Sequence, residues 1–207
     1  MRDLVRAFFR RPAGIVGLVL LGLVCLMAAL APMLYPASPW EMTGVPFSRP
    51  GENGTLLGAD TLGRDVASGV VHGARVSLLI GIASALAASC IGVLLGCIAG
   101  YAGGLVDMAI VRFTELFQTI PTFVLAILLV AILTPSLATI ILAIALVSWP
   151  PLARLTRAQV MSIMRREFVQ AARCQGQSTL SIVTRHVLPN AISPIIVAGS
   201  LTVAAAI

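Results

Sequence analysis

Long apolar runs alternate with short polar stretches along the whole chain, and the polar stretches carry the arginines. The first run, centred on Gly14 to Leu34, has the roughly 20 residues needed to cross about 30 Å of hydrocarbon. It is longer than the apolar core of a signal peptide, and Ala31-Pro32-Met33-Leu34-Tyr35-Pro36 makes a poor cleavage site, so an uncleaved span is expected. A second run follows Arg75 and ends near Tyr101, where Tyr-Ala-Gly-Gly signals a break. The 38 residues from Leu116 to Ala153 carry no charge. As one helix they would measure about 57 Å, nearly twice the membrane thickness, so they must fold back. Thr134-Pro135-Ser136 is the best break, giving spans from about Phe117 to Leu133 and from about Leu137 to Trp149. Pro121 is expected in the first turn or at a kink of the former, and Pro150-Pro151 is expected to stop the latter. A fifth run starts beyond His186 and reaches Ile207 without a polar tail, so it is expected to continue.

Composition turns these runs into a fold class. The chain of 207 residues is 58% hydrophobic and 11% charged, which excludes an ordinary soluble domain. The prediction is an all-α, polytopic membrane protein with five spans. Its organisation reads as an N-terminal stretch and first helix (1–34), an outer loop (35–75) and a core (76–207) containing a cytoplasmic loop (151–190). Within the second run, Ser84, Ala88, Gly92, Gly96, Gly100 and Gly104 recur every four residues. This small-residue ridge suits close helix packing better than direct chemistry.

Charge sets the orientation. With the N-terminus inside, Arg2, Arg6, Arg10, Arg11, Arg112, Arg154, Arg157, Arg165, Arg166, Arg173 and Arg185 lie on the cytoplasmic side. Only Arg49, Arg64 and Arg75 lie outside, among Glu41, Glu52, Asp60 and Asp65. The net charge of +6 is thus a membrane signal, and nucleic acid is set aside as a partner.

Candidate chemistry is sparse. All 14 basic residues are arginine, so the chain can house neither a P-loop lysine nor a Schiff base, and any ATP must be bound by another subunit. Cys25, Cys90, Cys97 and Cys174 show no metal or disulfide spacing, and no cofactor or metal is expected. The motifs H-E-x-x-H and G-x-S-x-G are absent, and no Asp, Glu, Arg or His falls in the apolar parts of the five expected spans. That disfavours an intramembrane hydrolase and a stand-alone secondary transporter.

The cytoplasmic loop is more informative. Met164 to Gln175 places Phe168, Ala171 and Ala172 on one small apolar face beside Arg165, Arg166 and Glu167. Gly176 supplies a left-handed stop, and Ser178 caps a second short helix expected to run toward Arg185 and end at Leu188-Pro189-Asn190. Arg185 and His186 read as helix-end and headgroup partners. An exposed amphipathic helix of this kind either enters a groove on a partner or lies on lipid or on its own bundle.

Glu167-Phe168-Val169-Gln170-Ala171-Ala172-Arg173-Cys174-Gln175-Gly176, followed by Ile182, Arg185, His186, Leu188, Pro189 and Asn190, resembles the EAA loop of ABC importer permeases. Cys174 and Gln175 depart from that pattern just before the glycine, which bears on local packing. The resemblance implies a type I importer permease fold, with a sixth span beyond Ile207. In it Glu167, Phe168, Ala171, Ala172 and Gly176 would couple the chain to one or two types of ABC ATPase. Leu57-Gly58-Ala59-Asp60-Thr61-Leu62-Gly63-Arg64-Asp65, with Gly73-Ala74-Arg75-Val76-Ser77-Leu78, looks like the segment before the second span in the dipeptide, oligopeptide and nickel group. Read from residues alone, Gly58 and Gly63 make turns, Asp60 or Asp65 caps the following helix, and Arg64 lies between them. A minor reading gives the segment to contact with a periplasmic substrate-binding protein.

The resemblance further implies a second, homologous permease subunit, a location in the bacterial inner membrane and a di- or oligopeptide substrate. A nickel chelate or another small solute is the alternative within the group. A channel or secondary transporter working without ATP, and a membrane scaffold, are the alternatives outside it.

Overall fold

The computed structural model describes residues 8–207, and Arg2 and Arg6 of the inner arginine count lie outside the described residues. The described residues form helices and two isolated bridges, with no strand among them. In chain order the helices are α1 (Pro12–Leu34), α2 (Val66–Ala102), α3 (Gly104–Thr119), α4 (Thr122–Ile132), α5 (Leu137–Met164), α6 (Glu167–Cys174) and α7 (Thr179–Ile182). A π turn (Val183–Val187) then leads into α8 (Leu188–Ala206). Four helical stretches are long and apolar enough to span a membrane, and the bent pair α3–α4 brings the total to five.

Two compact units meet within α2, one running to Leu79 and the other covering Ile80–Ile207. In the first, α1 buries only Ala28 and Ala31, and its leucines and valines face outward. Such a face suits lipid, where an apolar side chain loses nothing by exposure. The helix ends at Tyr35, whose carbonyl lies 3.0 Å from His72 Nε2 of α2. Helix α2 starts at Val66, nine residues before the expected end of the outer loop at Arg75. The reason is local: Asp65 Oδ1 accepts from Ala67 N–H at 2.8 Å and caps a helix that Ala67, Ser68 and Val71 then bury.

In the second unit the small-residue ridge of α2 packs against α5. A Cβ on Gly92 would lie 2.7 Å from Leu152 Cβ, and one on Gly96 would lie 2.6 Å from the Ala153 carbonyl oxygen. On Gly100 it would meet Val160 Cβ at 2.8 Å. Ala88 continues the contact against Trp149, Leu152 and Ala153, and Ser84 is fully buried, but Gly104 does not take part, since it lies past the break with open space around it. Gly103 and Gly104, at φ of +63° and +53°, make the turn announced by Tyr-Ala-Gly-Gly.

Three expectations about the spans are corrected. The expected span from Phe117 to Leu133 is two helices, α3 and α4, bent by 83° around Ile120 and Pro121. Proline at 121 cannot donate to residue 117, and Phe117 is held instead against Trp149, with ring centroids 5.3 Å apart. Pro150-Pro151 does not stop the next span, because α5 runs through both prolines to Met164. Their lost N–H groups cost two hydrogen bonds, to the carbonyls of Leu146 and Val147, while the flanking Trp149, Pro150 and Leu152 are locked by burial. Consequently Arg154 and Arg157 lie on the same helix as the span that begins at Leu137, beyond its two prolines. Finally, the helix after Ser178 does not end at Leu188-Pro189-Asn190 but continues into α8. The π turn makes this possible: Leu188 N–H reaches back to the Val183 carbonyl, and the wider turn accommodates Pro189 without its own donor. The break at Thr134–Ser136 is present, with Ser136 Oγ accepting from Thr139 N–H at 3.1 Å.

Gly96→Leu is expected to destabilise the helix pair by roughly 1–3 kcal/mol, since its side chain must displace backbone. Gly22→Ala, in open space on α1, is expected to be neutral or slightly stabilising. Thermal unfolding of both variants in the same detergent checks the contrast.

Candidate functional site

Two residues after α5 ends, α6 begins. Its apolar residues are divided between two faces. Val169 and Ala172 are buried, packed with Val160, Ile163, Met164, Ile182, Val187 and Ala191. Glu167, Phe168 and Ala171 are exposed. The single face of Phe168, Ala171 and Ala172 read from spacing is therefore corrected. Ala172 holds the helix down, and Val169, three residues earlier, shares that task.

The ends of α6 are fixed by hydrogen bonds. Gln170 Nε2 donates to the Met164 carbonyl at 2.8 Å, satisfying an acceptor left over at the end of α5. At the other end Gly176, at φ +74°, donates to the Arg173 carbonyl at 2.9 Å, and Gln177 N–H donates to the Ala172 carbonyl at 3.2 Å. These two bonds form a Schellman stop, which needs the left-handed residue that Gly176 provides. Ser178 Oγ then accepts from Ser181 N–H and caps α7. His186 Nε2 lies 2.9 Å from Gln177 Oε1, so the stop is tied sideways to the π turn. His186 thus has a protein partner, and Arg185 is exposed within a continuing helix.

The segment from Gly58 to Asp65 forms a second built structure, in the first unit. Gly58 and Gly63 have φ of +81° and +77°. A Cβ on either would fall 2.4 Å from a carbonyl oxygen, of Ser48 and Gly44 respectively. Asp60 is the hub: Oδ1 accepts from Leu62 N–H at 2.8 Å and Arg64 N–H at 2.9 Å, and Oδ2 accepts from Arg64 Nε at 2.7 Å. These bonds to Arg64, chiefly its backbone N–H, hold the Asp60 carboxyl below the usual carboxylate range. Arg64 also stacks over Trp40, its guanidinium carbon 5.4 Å from the ring centroid. Of the two candidate caps, Asp65 serves α2 and Asp60 organises its own loop.

Residues 92–207, more than half of the chain, match the family described as the binding-protein-dependent transport system inner membrane component. The chain belongs to this family. Residues 1–46 of this inner membrane component also match the N-terminal TM domain of oligopeptide transport permease C. It is 37% identical to the di/tripeptide transport system permease protein DppC of Pseudomonas aeruginosa, with all of this chain and 70% of that protein aligned. Against the oligopeptide transport system permease protein OppC of Escherichia coli K12 the identity is 38%, over 98% of this chain and 68% of the relative. The dipeptide permease DppC of Haemophilus influenzae is 36% identical, over 97% and 70%.

Several ties in this inner membrane component were not legible in its sequence. Asp107 and Arg157, 50 positions apart, form a two-pronged ion pair between α3 and α5, with Arg157 Nη2 2.6 Å from Asp107 Oδ2. Nothing in the spacing links them, because the link depends on the close approach at Gly100. Tyr101 Oη lies 2.8 Å from Thr179 Oγ1, and the Arg173 guanidinium sits over the Tyr101 ring. Gln170 and Gln177 were legible only as polar neighbours of the motif.

Because folding lowers the Asp60 carboxyl below its ordinary value, its contribution is full above that ordinary value and is lost as pH falls through the lowered one. Limited proteolysis of the 35–65 segment should therefore stay unchanged from neutral pH down into the ordinary carboxylate range, with cleavage rising only below it. Asp60→Asn is expected to be cleaved faster even at neutral pH.

Proposed function

We propose that this chain is one permease half of an ATP-driven importer that carries di- or oligopeptides inward across the bacterial inner membrane. The peptide assignment is supported by relatives whose names specify di/tripeptide, dipeptide and oligopeptide transport. A second, homologous permease completes the pathway, ATP is hydrolysed on separate ABC ATPase subunits, and a periplasmic protein delivers the substrate.

The observation that carries the reading is the division of α6. Val169 and Ala172 fasten the helix to the bundle, while Glu167, Phe168 and Ala171 are left for a partner. In the cytoplasm, where the arginine distribution puts this loop, that outer face fits a cleft on an ATPase. Phe168 supplies the apolar anchor and Glu167 a charge that sets register. Closure of two ATPases displaces α6, and the displacement reaches α5 through Gln170 and the Met164 carbonyl, and α8 through Gln177 and His186. Gly176 allows α6 to stop short and act as a separate lever. On the outer side, the loop built around Gly58, Asp60, Gly63, Arg64 and Asp65 is a firm surface for the delivering protein.

Tagged full-length protein purified from native membranes in mild detergent is expected to bring with it a second permease and ATPases. Phe168→Ala is expected to weaken ATPase retention by roughly tenfold, as loss of a central aromatic anchor does. Val169→Asp should unseat the whole lever. A chain that purifies stably without any ATPase would overturn the reading.

A further inference from the structure

The second unit carries two large grooves with opposite chemistry. One, of about 870 Å³ between α2 and the start of α8, includes Leu94, Ile98 and Leu180 and is almost wholly apolar, with Cys90 on its wall. The other, of about 830 Å³, lies between the α3–α4 bend, α5 and α8. It presents Gln118, Thr122, Ser148, Arg154 and Thr202 among its apolar residues. The first can face lipid without cost. Gln118 and Arg154 cannot, because amide and charged side chains in hydrocarbon are expensive unless they face water or a polar ligand.

Arg154 is the decisive residue. It lies 17 residues into α5, roughly 26 Å from the start of the helix and toward its cytoplasmic end. It is exposed, and none of the ion pairs among the described residues includes it. Its neighbour three residues on, Arg157, is neutralised by Asp107. The groove also contains the one stretch of α5 that lacks backbone donors. Pro151 leaves the carbonyl of Val147 without its helical partner, and Val147 lines this groove. Irregular backbone at membrane depth is tolerated where it borders a water-filled cavity. The sharp bend at Ile120–Pro121 meets the same groove from the other side.

We propose that this groove is the chain's wall of the translocation path, and that Arg154 receives the C-terminal carboxylate of the passing peptide. The inference rests on the peptide-importer reading above. A free carboxylate is the one negative charge every unblocked peptide presents at a fixed end, and a guanidinium pairs with it through two parallel hydrogen bonds. Hydroxyls, the Gln118 amide and a free carbonyl can meet peptide groups without selecting a side chain. Arg154 therefore sets a preference for peptides with a free C-terminus over peptides blocked there.

The test uses the complete transporter, with its partner permease, ATPases and delivering protein, in proteoliposomes. The probes are trialanine and its C-terminal amide. With Ser148→Cys, a charged thiol reagent is expected to label the groove while native Cys90 in the apolar groove stays unmodified. Trialanine under turnover should slow that labelling about tenfold more than the amide does, the scale of one lost charge-assisted contact. Arg154→Gln is expected to erase the difference and to bring trialanine uptake down to that of the amide, and Arg154→Lys to restore part of it. Labelling of Ser148→Cys only by lipid-soluble reagents would overturn the proposal, because the groove would then face the bilayer. Equal protection by both peptides with Arg154 intact would overturn it too, and loss of complex assembly in Arg154→Gln alongside equal protection would give Arg154 to the partner permease. Both labelling readouts keep Arg154 intact, so a poorly folding variant does not blunt them. Absence of trialanine uptake by the unmodified complex would instead overturn the importer reading itself.

Discussion

The close approach of α2 and α5 is the constraint on which the rest of the second unit depends. In a bilayer, burying leucine against leucine gains little, since lipid tails offer the same surroundings, so helices associate where backbones come near enough for dense van der Waals contact. Gly92, Gly96 and Gly100 remove the Cβ atoms that would keep α2 from the carbonyls of Trp149, Ala153 and Arg157. The four-residue spacing of the glycines matches that of the carbonyls, so the contact fixes register as well as distance. With register fixed, Trp149 is clamped by Phe113 and Phe117, and Arg157 comes within reach of Asp107. Val160 then sits at the base of the cluster that seats α6. A shift of one turn along this ridge would move all three contacts at once.

Three proline sites shape the irregular backbone, each in a different way. Pro121 divides one crossing segment into two helices at a steep angle. Pro150-Pro151 leaves α5 continuous but short of two hydrogen bonds. Pro189 is absorbed by a π turn that makes α7 and α8 a single helical path. What separates them is the surrounding packing. Trp149, Pro150 and Leu152 are buried tightly enough to hold a helix straight, whereas Pro121 and the residues beside it are exposed and nothing opposes the bend.

Much of this was legible in the sequence, and the reasons differ by element. Apolar runs report spans because the bilayer requires them, and the glycine ridge reports a helix contact because only small residues permit one. Gly176 and Ser178 were legible as stop and cap, because φ > 0 and an N-cap hydroxyl are needs of the local backbone. Proline was misread at 150–151 and at 189 because its cost is local while its remedy is tertiary. Periodicity gave α6 a single apolar face; the division between Ala172 and its exposed neighbours depends on which side of an eight-residue helix meets the bundle. The Asp107–Arg157 pair and the mixed groove needed the fold itself, since they join positions that no spacing relates.

The same helix joins the lever to the groove. From Arg154 to Met164 α5 runs ten residues, about 15 Å, without a proline, and along that stretch Thr156, Val160 and Ile163 are buried. In the coupling proposed above, a displacement of α6 would reach Arg154 through this proline-free, buried segment and needs no special chain of residues to carry it. Immediately beyond lies the stretch from Leu146 to Pro151, where α5 lacks two of its own hydrogen bonds and is held instead by the burial of Trp149, Pro150 and Leu152. That stretch contributes Val147, Ser148 and Pro151 to the groove. In the coupling proposed above, a push on α6 would therefore reach the wall of the groove along α5 itself.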